Sequence, residues 1–274
     1  MKTFTVITPC YNAGKYIKET ADSVLSQSAV LEGRIKLQYI VCDGGSTDDT
    51  LQILNSIASP YIQIISEKDN GMYDALAKGF ELATGDIFCY LNAGDVYYNK
   101  AFDTVLDVLE VYTEIQWVTG MTTAFNSKTQ LVAINVPFNY RSSFFQCGFY
   151  GRYFNFLQQE STFWKRELMQ NVDLDTLRSL RLAGDSYMWN CFSKHHQLHI
   201  VYAFLGGFKV HEGQQSEKID EYVLEQNRFT RKATIWEYVL MIFDSVAWKL
   251  PVSFKKKLNK KYFHYFELEN NRWN

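Results

Sequence analysis

The chain has 274 residues, 47% hydrophobic and 21% charged, a balance that fits one large globular domain or one domain with a small appendage and excludes wholesale disorder. The net charge of -2 gives no general attraction to nucleic acid, although KKKLNKK at residues 255–261 is a local basic run. Five cysteines, Cys10, Cys42, Cys89, Cys147 and Cys191, are odd in number and widely spaced, so a reduced, cytosolic protein without a disulfide framework is expected.

The opening MKTFTVITPCYN lacks the apolar run of a signal peptide, and no stretch of about 20 uncharged apolar residues offers a membrane span. A short β-branched run at Phe4–Thr8 reads as a strand. Asn12 can cap a helix reaching Ser28, with Ile17, Ala21, Val24 and Leu25 on one face. Leu37–Cys42 is a second strand. Asp43-Gly44-Gly45-Ser46 turns the chain, and Thr47 or Asp48 can cap the helix carrying Leu51, Ile53, Leu54 and Ile57. Ile62–Ser66 is a third strand, Asn70–Ala83 a helix, and Ile87–Leu91 a fourth strand ended by Asn92-Ala93-Gly94-Asp95. Such alternation predicts right-handed crossovers and a mainly parallel α/β sheet. Ligands of such sheets bind beyond the carboxyl ends of the strands. Polar residues stand at those ends: Asn12, Asp43, Glu67 with Asp69, and Asn92 with Asp95.

Further along, a helix is expected from Asn99 to Tyr112, with strands at Trp117–Thr119 and Leu131–Val136. An aromatic stretch, 138–156, precedes a polar segment at Gln158–Thr162. A helix begins at Asp185, a strand spans Leu198–Tyr202, a polar loop opens at His211, and Ile219–Asn274 reads as helical. The expected division is a domain at 1–217 and a helical extension at 218–274. Within the extension, ATIWEYVLMIFDSVAWKL (233–250) is apolar around most of a helix and is soon followed by the lysine run. It is either a helix packed on the domain or an anchor lying on an anionic membrane surface.

Four constellations carry candidate chemistry. Asp43 ends a buried strand and can accept a hydrogen bond from a uracil N3–H, or simply belong to a βα turn. Asn92–Asp95 can present a carboxylate and an amide to a cation-bridged diphosphate, or form an ordinary Asn/Gly turn. Asp185, in Ala-Gly-Asp-Ser-Tyr, is either an N-cap or a general base toward an acceptor hydroxyl. His211, in HEGQQS, is either a solvated loop histidine or a ligand of metal and diphosphate.

The order of these motifs resembles family-2 glycosyltransferases of the GT-A fold. TVITPCYN is similar to the family's opening strand and IVCDGGSTDDT to its nucleotide-binding strand and turn. EKDNGMYDALAKGFELATGDIFCYLNAGD resembles bacterial polysaccharide enzymes of the colanic-acid type. QQESTFWKRELM, RLAGDSYMWNCF and KVHEGQQSE extend the likeness more weakly to residue 217.

The resemblance implies an inverting transfer from a nucleotide sugar, of the UDP class, to a glycan or lipid-linked acceptor in surface polysaccharide synthesis. It implies that Pro9, Tyr11 and Asn12 line the nucleoside, that Asp43 with Gly44 holds the uracil, and that Asp69 and Lys78 lie near the nucleoside or its phosphates. Asn92, Ala93 and Gly94 take the place of the Asp-x-Asp motif, with Asp95 and His211 toward a divalent cation, Mn2+ or Mg2+. Gln159 and Glu160 face donor sugar or acceptor, and Asp185 is the base. Where many relatives read Asp-x-Asp-Asp, this chain keeps only the final carboxylate. The implied setting is cytoplasmic or peripheral on the inner face of the plasma membrane. Two other readings stand beside it. A nucleotidyltransferase would need a Gly-rich, Arg/Lys-bearing loop where this chain has PCYNAGKY; a binding module without turnover would fit the lost carboxylates.

Overall fold

The computed structural model describes residues 1–128, 130–210 and 218–274. The chain opens with β1 (Thr3–Cys10), α1 (Ile17–Leu25), α2 (Ser28–Leu31), β2 (Lys36–Asp43), α3 (Thr50–Ser56), β3 (Ile62–Ser66), α4 (Met72–Leu82) and β4 (Ile87–Tyr90). It continues through β5 (Val96–Tyr97), α5 (Ala101–Val111), β6 (Trp117–Thr119), β7 (Thr122–Phe125), β8 (Leu131–Asn135) and α6 (Ser142–Gln146). Next come β9 (Thr162–Lys165), α7 (Leu174–Ser179), α8 (Gly184–Ser193), β10 (His199–Val201) and β11 (Gly206–Lys209). Last are α9 (Ile219–Gln226), α10 (Ile235–Ala247), α11 (Val252–Leu258), β12 (Phe263–His264), β13 (Phe266–Glu267) and β14 (Arg272–Trp273).

Eight of these strands form one sheet in the order β12-β10-β6-β9-β4-β1-β2-β3. Every pairing in it is parallel except those of β9, which runs antiparallel to both β4 and β6. The central strands are apolar on both faces because helices cover both. Phe4 and Val6 look into one core with Ile17, Ala21 and Val24, while Ile7 looks into the other with Leu76, Tyr90 and Trp164. A second sheet has the order β5-β11-β7-β8. Its Gly206 is required: a Cβ there would fall 1.9 Å from the carbonyl oxygen of Glu160, so only glycine lets β11 pass against that backbone.

Three local expectations are corrected. Asn12 caps no helix. It sits in the left-handed region (φ 48) and its Oδ1 accepts the Thr47 N–H at 2.8 Å, tying the end of β1 to the turn after β2; α1 starts only at Ile17. Asp185 is in the first turn of α8, whose N-cap position is Ala183. The end of the chain is not helical throughout. Phe263–His264 pairs in parallel with β10, and β13 and β14 form a hairpin. The segment after 217 therefore completes the main sheet rather than standing apart from it. The five cysteines are free and buried, as expected of small apolar side chains.

Candidate active site

The carboxyl ends of β1 and β4 open into a cavity of about 790 Å3, within the size range of small-molecule sites. On the β1 side it is lined by Pro9, Tyr11 and Asn12, with Asp69 after β3. On the β4 side it is lined by Asn92, Ala93 and Asp95. Gln159, Glu160 and Asp185 complete the predicted residues that the fold brings together there.

Asp43, Gly44, Gly94 and Lys78 do not line it. Asp43 is buried and turned onto its own loop. It accepts the N–H groups of Gly45 (3.1 Å) and Ser46 (3.0 Å), the Ser66 hydroxyl (2.7 Å) and the Ser46 hydroxyl. Burial works against its charge, but these donors outweigh burial and hold its carboxyl below the ordinary range. Three of these donors meet Oδ2 and the Ser46 hydroxyl meets Oδ1, so the carboxylate shapes the turn after β2. Gly44 makes room for Asp69, whose Oδ2 would lie 2.6 Å from a Cβ at 44. Lys78, expected near phosphates, pairs instead with Glu67 at 2.9 Å and donates to the Lys68 carbonyl at 3.1 Å.

The turn after β4 depends on Gly94, at φ 115, a conformation that side chains strain to adopt. Its N–H donates to Thr20 Oγ1 (2.9 Å), and that hydroxyl donates to the Asp95 carbonyl (2.9 Å), which locks the turn onto α1. The Asp95 carboxylate points inward, accepting the Lys209 N–H at 3.0 Å and the Gln159 Nε2 at 3.3 Å. Around it, Asn92 Oδ1, Gln159 Oε1 and Glu160 Oε1 are buried oxygens that no described residue satisfies. Burial pushes the Asp95 carboxyl up against the pull of Lys209. Burial, with the charges of Asp95 and Asp185, pushes Glu160 well above the carboxylate range. Unpaired buried oxygens cost free energy, and these three line the cavity, where a ligand can meet them.

Asp185 Oδ1 accepts from Ser186 N–H at 2.7 Å and Tyr222 Oη at 3.1 Å, and Tyr73 Oη, at 3.3 Å, shares its one proton between this oxygen and the Leu182 carbonyl at 3.0 Å. Among the described residues no donor reaches Oδ2. Burial raises the carboxyl to about 6 in spite of those donors. A carboxylate poised there is a competent proton acceptor near neutral pH. Its backbone is fixed from α9. Glu225 accepts the N–H groups of Arg181 (2.8 Å), Leu182 (2.7 Å) and Ala183 (2.7 Å), immediately before α8.

Tyr73, Tyr222 and Glu225 escaped the sequence reading. A tyrosine at a helix start reads as core, and Glu225 reads as one acid among several on an exposed helix. Only the meeting of residues 73, 185 and 222 in space reveals them. His211 lies outside the described residues. Among those described, no group of three or more His, Cys, Asp or Glu could hold a metal ion.

Residues 5–165, more than half of the chain, match the Glycosyl transferase family 2. An uncharacterized glycosyltransferase of Mycoplasma pneumoniae is 37% identical over 106 residues, which is 37% of this chain and 34% of that protein. A PGL/p-HBAD biosynthesis glycosyltransferase of Mycobacterium tuberculosis is 36% identical over 98 residues, covering 35% of this chain and 36% of that one. The matches thus span about a third of the length of these curated relatives. S. aureus TarS in complex with UDP-GlcNAc superposes with a TM-score of 0.61 at 15% identity, over 94% of this chain and 70% of that one. Mannosyltransferase PcManGT from Pyrobaculum calidifontis, in complex with GDP-Man and Mn2+, gives 0.60 at 16% identity, over 92% and 71%. The fold is GT-A, and the chain belongs to glycosyl transferase family 2.

Proposed function

We propose that the protein transfers a sugar from a nucleoside diphosphate donor to a hydroxyl acceptor with inversion at the anomeric carbon. The observation that carries this reading is one cavity holding Asp185, raised to about 6, together with unsatisfied oxygens beside Asp95. Asp185 takes the proton of the acceptor hydroxyl. The acceptor oxygen attacks the anomeric carbon from the face opposite the nucleotide, and the bond to the diphosphate breaks, its electron pair leaving with the nucleoside diphosphate. One carboxylate suffices because no covalent intermediate forms. Tyr73 and Tyr222 orient that carboxylate, and Glu225 fixes the backbone beneath it.

The donor set fits a hard divalent cation, which takes oxygen ligands. Asp95 and Glu160, with the amide oxygens of Asn92 and Gln159, are the residues that would hold it. When bound, Mn2+ or Mg2+ neutralises the departing diphosphate. A UDP sugar is the first donor class to test, in line with the UDP-GlcNAc complex of TarS; the GDP-Man complex of PcManGT makes guanosine the second. The acceptor class we favour is a glycan or lipid-linked glycan of surface polysaccharide synthesis, reached from the cytoplasmic side. The PGL/p-HBAD biosynthesis relative supports that choice. Among the described residues no helix is long and apolar enough to cross a membrane.

The test is calorimetric titration with UDP and GDP, with and without Mn2+, followed by nucleotide release from the corresponding sugars. Cation-dependent binding with acceptor-stimulated release is expected. Binding without release from any donor would make the protein a nucleotide-sugar-binding module instead.

A further inference from the structure

α10 lies on the domain with its polarity reversed. Its acids, Glu237 and Asp244, are seven residues apart and share one face, and that face is the buried one. Asp244, fully buried, accepts from Arg141 Nε at 2.6 Å and Nη2 at 2.7 Å. Glu237 pairs with Arg231 and closes a capping box with Thr234. Leu240 and Met241 pack on the core beside them, but most of the apolar side chains turn outward: Ile235 is 85% exposed, Trp236 70%, Ile242 65% and Val246 62%, with Val239 and Phe243 between them. A helix docked on a water-soluble domain ordinarily does the opposite. After Pro251, α11 continues the surface with Phe254 and Leu258, one turn apart and both exposed.

The charge around this face has one sign. From Ile235 to Tyr265 the only acids are Glu237 and Asp244, both buried and paired. Lys255 is buried, donating to the Val136 carbonyl at 2.6 Å, and Lys256 stacks over Tyr265 at 3.9 Å. Lys249, Lys257, Lys260 and Lys261 remain exposed. An outward apolar face on a segment whose exposed charges from 235 to 265 are lysines suits an anionic lipid surface. A second copy of the same face would meet it with like charge.

We propose that α10 and α11 seat the protein on an anionic bilayer, with Trp236, Ile242 and Val246 entering the headgroup boundary and the lysines meeting lipid phosphates. Helices of this kind lie in the plane of the interface. The proposal stands apart from the transferase reading, because binding to vesicles requires no turnover. The full chain is floated with vesicles of phosphatidylcholine alone and with a third of phosphatidylglycerol, at low salt. Flotation with the anionic vesicles is expected. Ile242→Glu with Val246→Glu should lower the bound fraction at least tenfold (~10-fold), and each of Lys257→Gln, Lys260→Gln and Lys261→Gln should weaken binding about fivefold. Unchanged urea-unfolding midpoints would show that these variants are folded. Three results would overturn the proposal: a wild-type chain that stays unbound, flotation indifferent to the α10 substitutions, or a dimer by light scattering that those substitutions dissociate.

Discussion

Asp185→Asn separates charge from shape at the proposed base. The amide keeps an oxygen at Oδ1 to accept from Ser186, Tyr73 and Tyr222, and its NH2 falls where no described donor points. Loss of proton acceptance should cut turnover about 10²–10⁴-fold, or about 3–5 kcal/mol of barrier. Stability should move the other way. Folding raises this carboxyl from 3.8 to about 6, so the folded chain binds more protons than the unfolded chain between those values. Wild-type stability therefore falls as pH rises through that window, by about 3 kcal/mol for two units, discounted to about 1–3 because the side chain reaches the cavity. The asparagine does not titrate. Its advantage in urea unfolding should be absent near pH 3 (about a unit below the unfolded pKa) and complete above about pH 7. Nucleotide release measured beside unfolding midpoints checks both halves. Turnover within about threefold of wild type would remove Asp185 from the role. A variant less stable than wild type at neutral pH would refute the claim that burial raises the carboxyl.

In wild type, kcat/KM should fall tenfold per pH unit (~10-fold) below about 6, where Asp185 becomes protonated, and level off above it; the slope is read from a pH–rate profile. Asp95→Asn and Glu160→Gln should each weaken Mn2+ binding, measured by calorimetry in the presence of UDP, at least tenfold (~10-fold), while leaving metal-free UDP binding near its wild-type level. Glu225→Ala strips the acceptor from three backbone N–H groups ahead of α8. It should lower kcat more than it raises the donor KM, with partial rescue by Glu225→Gln, which retains one of the two oxygens. Arg141→Met leaves Asp244 buried and unpaired, and should cost about 3 kcal/mol in urea unfolding.

The first half of the fold was legible because its signal is local. The β-branched runs at 4–8, 37–42 and 62–66 and the helical spacing between them need no distant contact to be read. The polar residues at the strand ends followed from topology, and Pro9, Asn92, Asp95 and Asp185 do meet in one cavity. Two acceptors found partners that the local sequence does not name. Asn12 has the chemistry of a helix cap but spends it on Thr47, thirty-five residues away. Asp43 accepts from Ser46 and from Ser66. In both, the residue type announces an acceptor and only the fold decides which donor arrives. β9 was hidden for another reason: four residues, Thr162–Lys165, are too few to show a period, and their burial between β4 and β6 is set by partners far away in sequence.

The candidate site draws on residues past 217. A division at residue 217 assigns the site to the chain before it, yet Tyr222 contacts the Asp185 carboxylate and Glu225 holds the backbone leading to it. Gln226, buried, donates to the Ser186 hydroxyl at 2.8 Å and to the Tyr150 carbonyl at 3.0 Å, joining α8 to the aromatic layer. Beyond α9, Asp244 anchors α10 to Arg141 and β12 takes the edge of the main sheet beside β10. Each of these contacts crosses residue 217, and those of Gln226 and Asp244 do so through buried polar groups. A chain cut there would leave at least three backbone N–H groups and a guanidinium without their acceptors. If α10 rests on lipid, the segment that meets the membrane and the segment that contacts the proposed base are consecutive helices. Lipid binding then has a short covalent route to the cavity, through residues 227–234 between α9 and α10.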